Sequence, residues 1–180
     1  LIPYVHTPNI CKLDDGKKRK LSKRKDPEAN CMYFIQDGYP TIAVKEYLLN
    51  LLNSDFEMWR KENPNTDYHE FPFKLEKIGS GNPMFDMVKL NDVSKEYISR
   101  LSASNVYNQL LAWAEDYDTE FAEILKSNEQ YAIDVLSIER DTPKPRKDIY
   151  KWSMVREYYN YMFDNFENIE HDFSQITSID

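Results

Sequence analysis

Five consecutive residues, Lys20-Leu21-Ser22-Lys23-Arg24, put three cations and a hydroxyl on one short stretch of chain. They lie inside a longer run, residues 17–25, that holds seven basic side chains and no acid. Ammonium and guanidinium groups at that density suit phosphate oxygens, the one as a compact charge and the other as a planar fork. Asp26-Pro27-Glu28 follows, with a capping side chain, a proline and an acid in the order that starts a helix. A helix beginning there offers free N–H groups and a positive partial charge beside the basic run, both favourable to phosphate. The competing reading of the same residues is a solvated basic loop or a localisation-like run, since short Lys-rich motifs recur by chance.

The rest of the chain is acidic. The net charge of −8 for the whole chain would count against a nucleic-acid partner if the basic groups were scattered. They are concentrated instead, as one positive loop on an acidic body. In 180 residues, 41% hydrophobic and 14% aromatic side chains are enough to fill a core. The 30% of charged residues and the lack of any apolar run near the length of a membrane span exclude a transmembrane reading and point to the cytoplasm. Leu1 to His6 carry no initiator Met, basic stretch or apolar stretch, so they are expected to be the interior of a longer protein rather than a signal peptide. Cys11 and Cys31, with His6, His69 and His171, lack the spacing of a disulfide framework or a zinc site, and no metal ligands are assigned.

The elements that must position the loop follow from periodicity and punctuation. Residues 1–12, broken by Pro3 and Pro8, read as strand or extended chain, and 13–25 as a loop opened by the Asp14-Asp15-Gly16 turn. A helix is expected from Asp26 to about Gln36, stopping at Gly38. Ile42, Val44, Tyr47, Leu48, Leu51 and Leu52 recur at helical steps, and Ser54-Asp55-Phe56-Glu57 has capping-box spacing for a short helix to about Glu62. Pro72 leaves 71–78 as a short helix or edge segment, and Gly79 to Pro83 is a turn. Helices are expected from the Met84–Leu90 cluster to Leu101, after a cap at Ser102 or Ser104, over 119–126, over 129–139, and from Trp152 to Asn168. The fold class is therefore mainly α, with short β or extended segments at the N-terminal end.

Lys20-Leu21-Ser22-Lys23-Arg24 resembles the Lys-Met-Ser-Lys-Ser-type signature of class I aminoacyl-tRNA synthetases, in the form found in bacterial-type glutamyl-tRNA synthetases. His6-Thr7-Pro8 resembles that family's His-x-Pro segment on the strand before the loop. Phe85-Asp86-Met87-Val88-Lys89-Leu90-Asn91 resembles the Phe-Asp-x-x-Lys-Leu stretch of its stem-contact domain, and Tyr97-Ile98 matches a pair later in the same helix. The resemblance covers Pro3 to about Asn168 and thins beyond Arg100. Gly16-Lys17-Lys18-Arg19 departs from it by lengthening the approach to the motif.

The resemblance implies a glutamate–tRNA ligase that activates glutamate with ATP and Mg2+ and transfers it to the acceptor end of tRNA(Glu). Charge concentrates on the leaving pyrophosphate, where positioned cations stabilise it as it develops. Lys20, Ser22, Lys23 and Arg24 are the expected share of that site, with Lys23 foremost at the ATP phosphates. The family's His-Ile-Gly-His-type motif and amino-acid pocket do not occur here, so the chain alone is expected to be inactive. It would divide into the end of a catalytic domain (1–30), a stem-contact domain (31–101) and an incomplete helical anticodon-binding domain (102–180), in a monomeric parent.

Candidate tRNA contacts are Lys89 and a second basic group, Arg140, Lys144, Arg146, Lys147 and Lys151, interrupted only by Asp141 and Asp148. Lys89 equally suits pairing with Asp92 or Glu96 on its own helix, and the second group equally suits a solvated face. Trp152, Tyr158, Tyr159 and Tyr161 could stack on bases, but their helical spacing favours core packing. The alternative for the whole chain is a non-catalytic acidic helical module with a basic partner-binding loop.

Overall fold

A computed structural model describes Tyr4 and residues 6–163. It opens with a hairpin: β1 (Cys11–Asp14) pairs antiparallel with β2 (Lys17–Lys20), so that Lys12 faces Arg19 and Cys11 faces Lys20. Asp15 (φ 48°) and Gly16 (φ 74°) both adopt the left-handed region. That is the requirement of a two-residue turn whose twist matches its strands, and Asp-Gly is a preferred pair for it. The turn thus closes a hairpin rather than opening a loop, and Lys17–Lys20 are strand residues, against the sequence expectation.

The helix expected over 26–36 is divided. Pro27–Ala29 form a single 3-10 turn, and α1 (Cys31–Gln36) starts anew with Asn30 accepting from the Met32 N–H. Gly38, at φ 86°, ends it. Then come α2 (Thr41–Leu52) and α3 (Asp55–Glu62). Ser54 makes no cap bond; the buried Asn53 accepts from the Asp55 N–H instead. Residues 71–78 contain only a 3-10 turn at Leu75–Lys77.

The second half is α4 (Met87–Ser99), α5 (Ala103–Tyr117), α6 (Thr119–Ser127) and α7 (Glu129–Ser137). Asp86, Ser102, Asp118 and Asn128 each cap the following helix with a side-chain oxygen, satisfying N–H groups that a helix leaves unpaired. The last helix is broken as well, into a 3-10 turn at Trp152–Met154, α8 (Val155–Tyr158) and α9 (Asn160–Phe163). Residues 164–168 of that expected helix lie outside the described residues. Among the described residues the architecture is mainly α with one small hairpin, and no helix there is long and apolar enough to cross a membrane.

Among the described residues, two cores hold the elements. The larger gathers Val106, Leu110, Phe121, Leu125, Leu136, Trp152, Val155 and Tyr159, together with Tyr97 and Ile98 of α4 and Ala43 of α2. Trp152 and Tyr159 therefore pack inward, whereas Tyr161 is exposed. The smaller core joins Phe34, Tyr39, Tyr47 and Leu90, with Phe85 against it.

Candidate functional site

The hairpin delivers Lys20 to the end of β2, where the Leu21 N–H bonds the Ile10 carbonyl at 2.9 Å. The chain then turns tightly, with the Ser22 carbonyl accepting from the N–H groups of Lys25 (3.0 Å) and Asp26 (2.8 Å). Lys20, Lys23 and Arg24 are exposed, and among the described residues none of the three side chains forms an ion pair. Ser22 is partly buried and its hydroxyl accepts from the Arg24 N–H.

Asp26 sits beneath this turn, 3% exposed. Its carboxylate accepts from both Arg19 Nη atoms (2.6 and 2.8 Å) and from the Ser22 N–H (2.7 Å), and lies 3.2 Å from Lys12 Nζ. It makes no cap bond to the following turn, so the sequence expectation of a capping side chain is corrected. The arrangement answers an electrostatic problem, because Lys12 and Arg19 stand directly opposite on the hairpin, where like charges repel. Asp26 between them, with Glu28 on Lys12 and Asp14 on Arg19, converts that repulsion into a network. The Arg19 guanidinium holds the Asp26 carboxyl well below the usual carboxylate range.

An open groove of about 900 Å3 lies beside the loop. Lys20 and Lys23 line it with Thr7, Pro8, Phe34, Val44 and Phe85. Parts of three separate sequence motifs, the His-x-Pro segment, the basic pentapeptide and the Phe-Asp stretch, thus meet at one surface. They are held there by β1, since the Cys11 N–H bonds the Pro83 carbonyl (2.9 Å) and the Phe85 N–H bonds the Cys11 carbonyl (2.7 Å). A cleft of this size, apolar with a few cations, is of the kind that takes a small molecule.

The Phe-Asp-x-x-Lys-Leu stretch has its own structural logic. Phe85 meets Tyr47 edge-on, Asp86 caps α4, Leu90 is fully buried, and the Asp86 N–H donates to the Tyr47 hydroxyl at 2.7 Å. Lys89 pairs with Glu57 of α3 at 3.1 Å, not with Asp92 or Glu96 of its own helix.

The second basic group is dispersed into internal contacts. Arg140 gives its guanidinium to the carbonyls of Leu136, Ile98 and Leu101, which ties α7 to α4 and leaves it poorly placed for an external phosphate. Arg146 pairs with Asp148 and Glu139, Lys147 with Glu96, and Lys151 with Asp37. Only Lys144 of the five is exposed and, among the described residues, outside any ion pair. Sequence reasoning missed the role of Asp26 and Arg19. Reading Asp-Gly as a hairpin turn would have placed Arg19 opposite Lys12 and called for a carboxylate between them.

No protein-family model matches the chain. It is 49% identical over 161 residues to a glutamate–tRNA ligase of Clostridium beijerinckii, a match that covers 89% of this chain and 29% of that protein. A glutamate–tRNA ligase of Clostridium perfringens is 48% identical over 161 residues, covering 89% and 30% respectively. One of Acetivibrio thermocellus is 44% identical over 163 residues, covering 91% and 30%. The chain spans about three tenths of the length of the curated relatives it matches.

Proposed function

Since this chain belongs, over about nine tenths of its length, to the glutamate–tRNA ligase family, we propose that it is the part of such an enzyme that closes on the ATP phosphates and holds tRNA(Glu). The full protein activates glutamate with ATP and transfers it to the tRNA, working in the cytoplasm as a monomer. The carrying observation is the contrast between the two basic groups. Lys20, Lys23 and Arg24 are exposed and, among the described residues, without ion pairs, and Lys20 and Lys23 line a groove with Thr7, Pro8 and Phe85, whereas Arg140, Arg146, Lys147 and Lys151 are engaged internally.

Chemically, Lys23 and Lys20 place ammonium groups, and Arg24 a guanidinium, where negative charge grows on departing pyrophosphate. Fixed cations that need not reorganise lower that barrier most. Ser22 contributes a hydroxyl that already braces the turn. Among the described residues no three His, Cys, Asp or Glu side chains come together in a way that could hold a metal ion. No residue here is therefore assigned to Mg2+, and no step is routed through it. Residues 1–30 would act with the catalytic domain, 31–101 against the tRNA stem and 102–180 towards the anticodon. Lys89 and Lys144 are the preferred tRNA contacts, with Arg146, Lys147 and Lys151 requiring their acidic partners to be displaced first.

The test is glutamate-dependent ATP–pyrophosphate exchange by the full-length protein in the presence of tRNA, with and without Lys23→Ala. Loss of kcat by on the order of 100-fold at nearly constant KM for ATP supports the reading, because it marks an interaction made mainly in the transition state. Unchanged exchange sinks it and favours the interaction module, in which Lys20 and Lys23 serve a protein partner.

A further inference from the structure

We propose that Asp26, together with Arg19, is a positioning residue for the Lys20–Arg24 loop: one buried carboxylate fixes both the strand that enters the loop and the turn that follows it. The inference rests on the proposed ATP-handling role of that loop. Its geometric basis is independent of any ligand. Arg19 is the residue immediately before the motif and gives Asp26 two parallel bonds, at 2.6 and 2.8 Å. Ser22, the middle of the motif, gives it a backbone N–H at 2.7 Å. Asp26 also returns its own N–H to the Ser22 carbonyl at 2.8 Å, so Ser22 and Asp26 are bonded through both groups of Ser22.

Only two short spans are left outside the clamp. Lys20-Leu21 bridges Arg19 to Ser22, and Lys23-Arg24-Lys25 bridges Ser22 to Asp26. The cations are therefore held at their backbones, which narrows the rearrangement their side chains must make to meet charge that develops in a transition state. Arg19 contributes to positioning because its fork is rigid and bidentate, which a lysine ammonium cannot reproduce. Lys12 and Glu28 complete the cluster from β1 and the 3-10 turn, and tie the loop to the strand that also carries the Pro83 and Phe85 backbone bonds.

The experiment uses the full-length protein with Asp26→Asn, Arg19→Gln and Lys23→Ala, and the double variant of Asp26→Asn with Lys23→Ala. The readouts are kcat and KM for ATP in pyrophosphate exchange with tRNA present. Asp26→Asn is expected to lower kcat by on the order of 10- to 100-fold, the scale of a misplaced catalytic group, with KM for ATP changed less than about threefold. In the double variant Lys23→Ala should cost less than it does alone, since a lysine no longer held in place contributes less. Arg19→Gln should reproduce the kcat loss while leaving the Asp26–Ser22 bond intact, which keeps the test decisive if Asp26→Asn folds poorly. Leu110→Ala, a core change remote from the loop, controls for lowered stability and should keep kcat below its melting temperature. If Lys23→Ala inactivates while Asp26→Asn and Arg19→Gln retain full kcat, or if the costs in the double variant simply add, the positioning role is overturned and the ATP-handling reading stands. If Lys23→Ala itself has no effect, both fall.

Discussion

The backbone N–H of Trp152 donates to the carbonyl of Gly38 at 2.8 Å, joining the turn after α1 to the start of the C-terminal helical segment across more than a hundred residues. The contact is reinforced by the Ser153 hydroxyl on the Asp37 carbonyl (2.7 Å), by Lys151 on the Asp37 carboxylate (2.7 Å) and by the Trp113 indole on the Gln36 carbonyl (3.3 Å). A Cβ at position 38 would stand 2.7 Å from the Ser153 nitrogen and 3.0 Å from that of Trp152, at a φ of +86°. Gly38→Ala should therefore destabilise by roughly 2–4 kcal/mol, adding backbone strain to overpacking against main chain that cannot swing away. A denaturant titration of the 180-residue chain checks this, and a cost under about 0.5 kcal/mol would mean the two segments separate easily.

Glu46 is buried on α2 between Arg60 of α3 (2.8 Å) and Arg100 after α4 (3.2 Å). Glu46→Ala leaves two poorly solvated guanidinium groups without their counter-charge and should cost about 3–5 kcal/mol. Glu46→Leu combined with Arg60→Met should cost less than the sum of the single changes, because Arg60 is then removed together with its partner and only Arg100 is left without a counter-charge. Chemical denaturation of the singles and the double measures that coupling, and strict additivity would show that the pair is not energetically linked.

Acid should unfold the chain through the loop cluster among other sites. Arg19 lowers the carboxyl pKa of Asp26 and of Asp14, the Tyr158 hydroxyl that of Asp148, and Lys89 that of Glu57. Each binds a proton more readily in the unfolded chain, so its contribution to stability is complete above the ordinary carboxylate range and is lost as pH falls from about 4 towards the depressed folded value. The melting temperature should drop steeply below about pH 4, and Asp26→Asn should make that limb shallower. An identical acid limb in the variant would show that Asp26 is not held in its charged form by the fold.

At the alkaline end the sign reverses. Burial pushes the Tyr47 hydroxyl up to about 12, against the opposing effect of the Asp86 N–H it accepts. An unfolded chain would ionise this tyrosine near pH 10, so its contribution is full below that value and declines as pH rises through about 12. Tyr47→Phe should cost about 1 kcal/mol at neutral pH by stranding the Asp86 N–H. It should also flatten the alkaline limb. Thermal melts across the range decide it, and a variant as stable as the parent at neutral pH would remove the hydroxyl from the account.

What the sequence by itself determined was whatever depends on neighbours a few residues apart. The apolar steps of Ile42, Val44 and Tyr47 gave α2, and Ser102 was one of two serines expected to cap α5, which it does. The density of charge in residues 17–25 marked the basic segment, of which Lys17–Lys20 proved to be strand rather than loop. What only the tertiary structure decided was which charges are free to use. Lys89 meets Glu57 rather than the acids of its own helix, Arg140 reaches the carbonyls of Ile98 and Leu101, and Asp26 turns back to Arg19 and Ser22 instead of capping forward. Trp152 to Phe163 likewise breaks into short helices while Trp152, Val155 and Tyr159 pack into the larger core. Local propensity acts along the chain, but an ion pair or a buried fork is settled by what packing brings within 3 Å or so, and that distance has no fixed relation to separation in sequence.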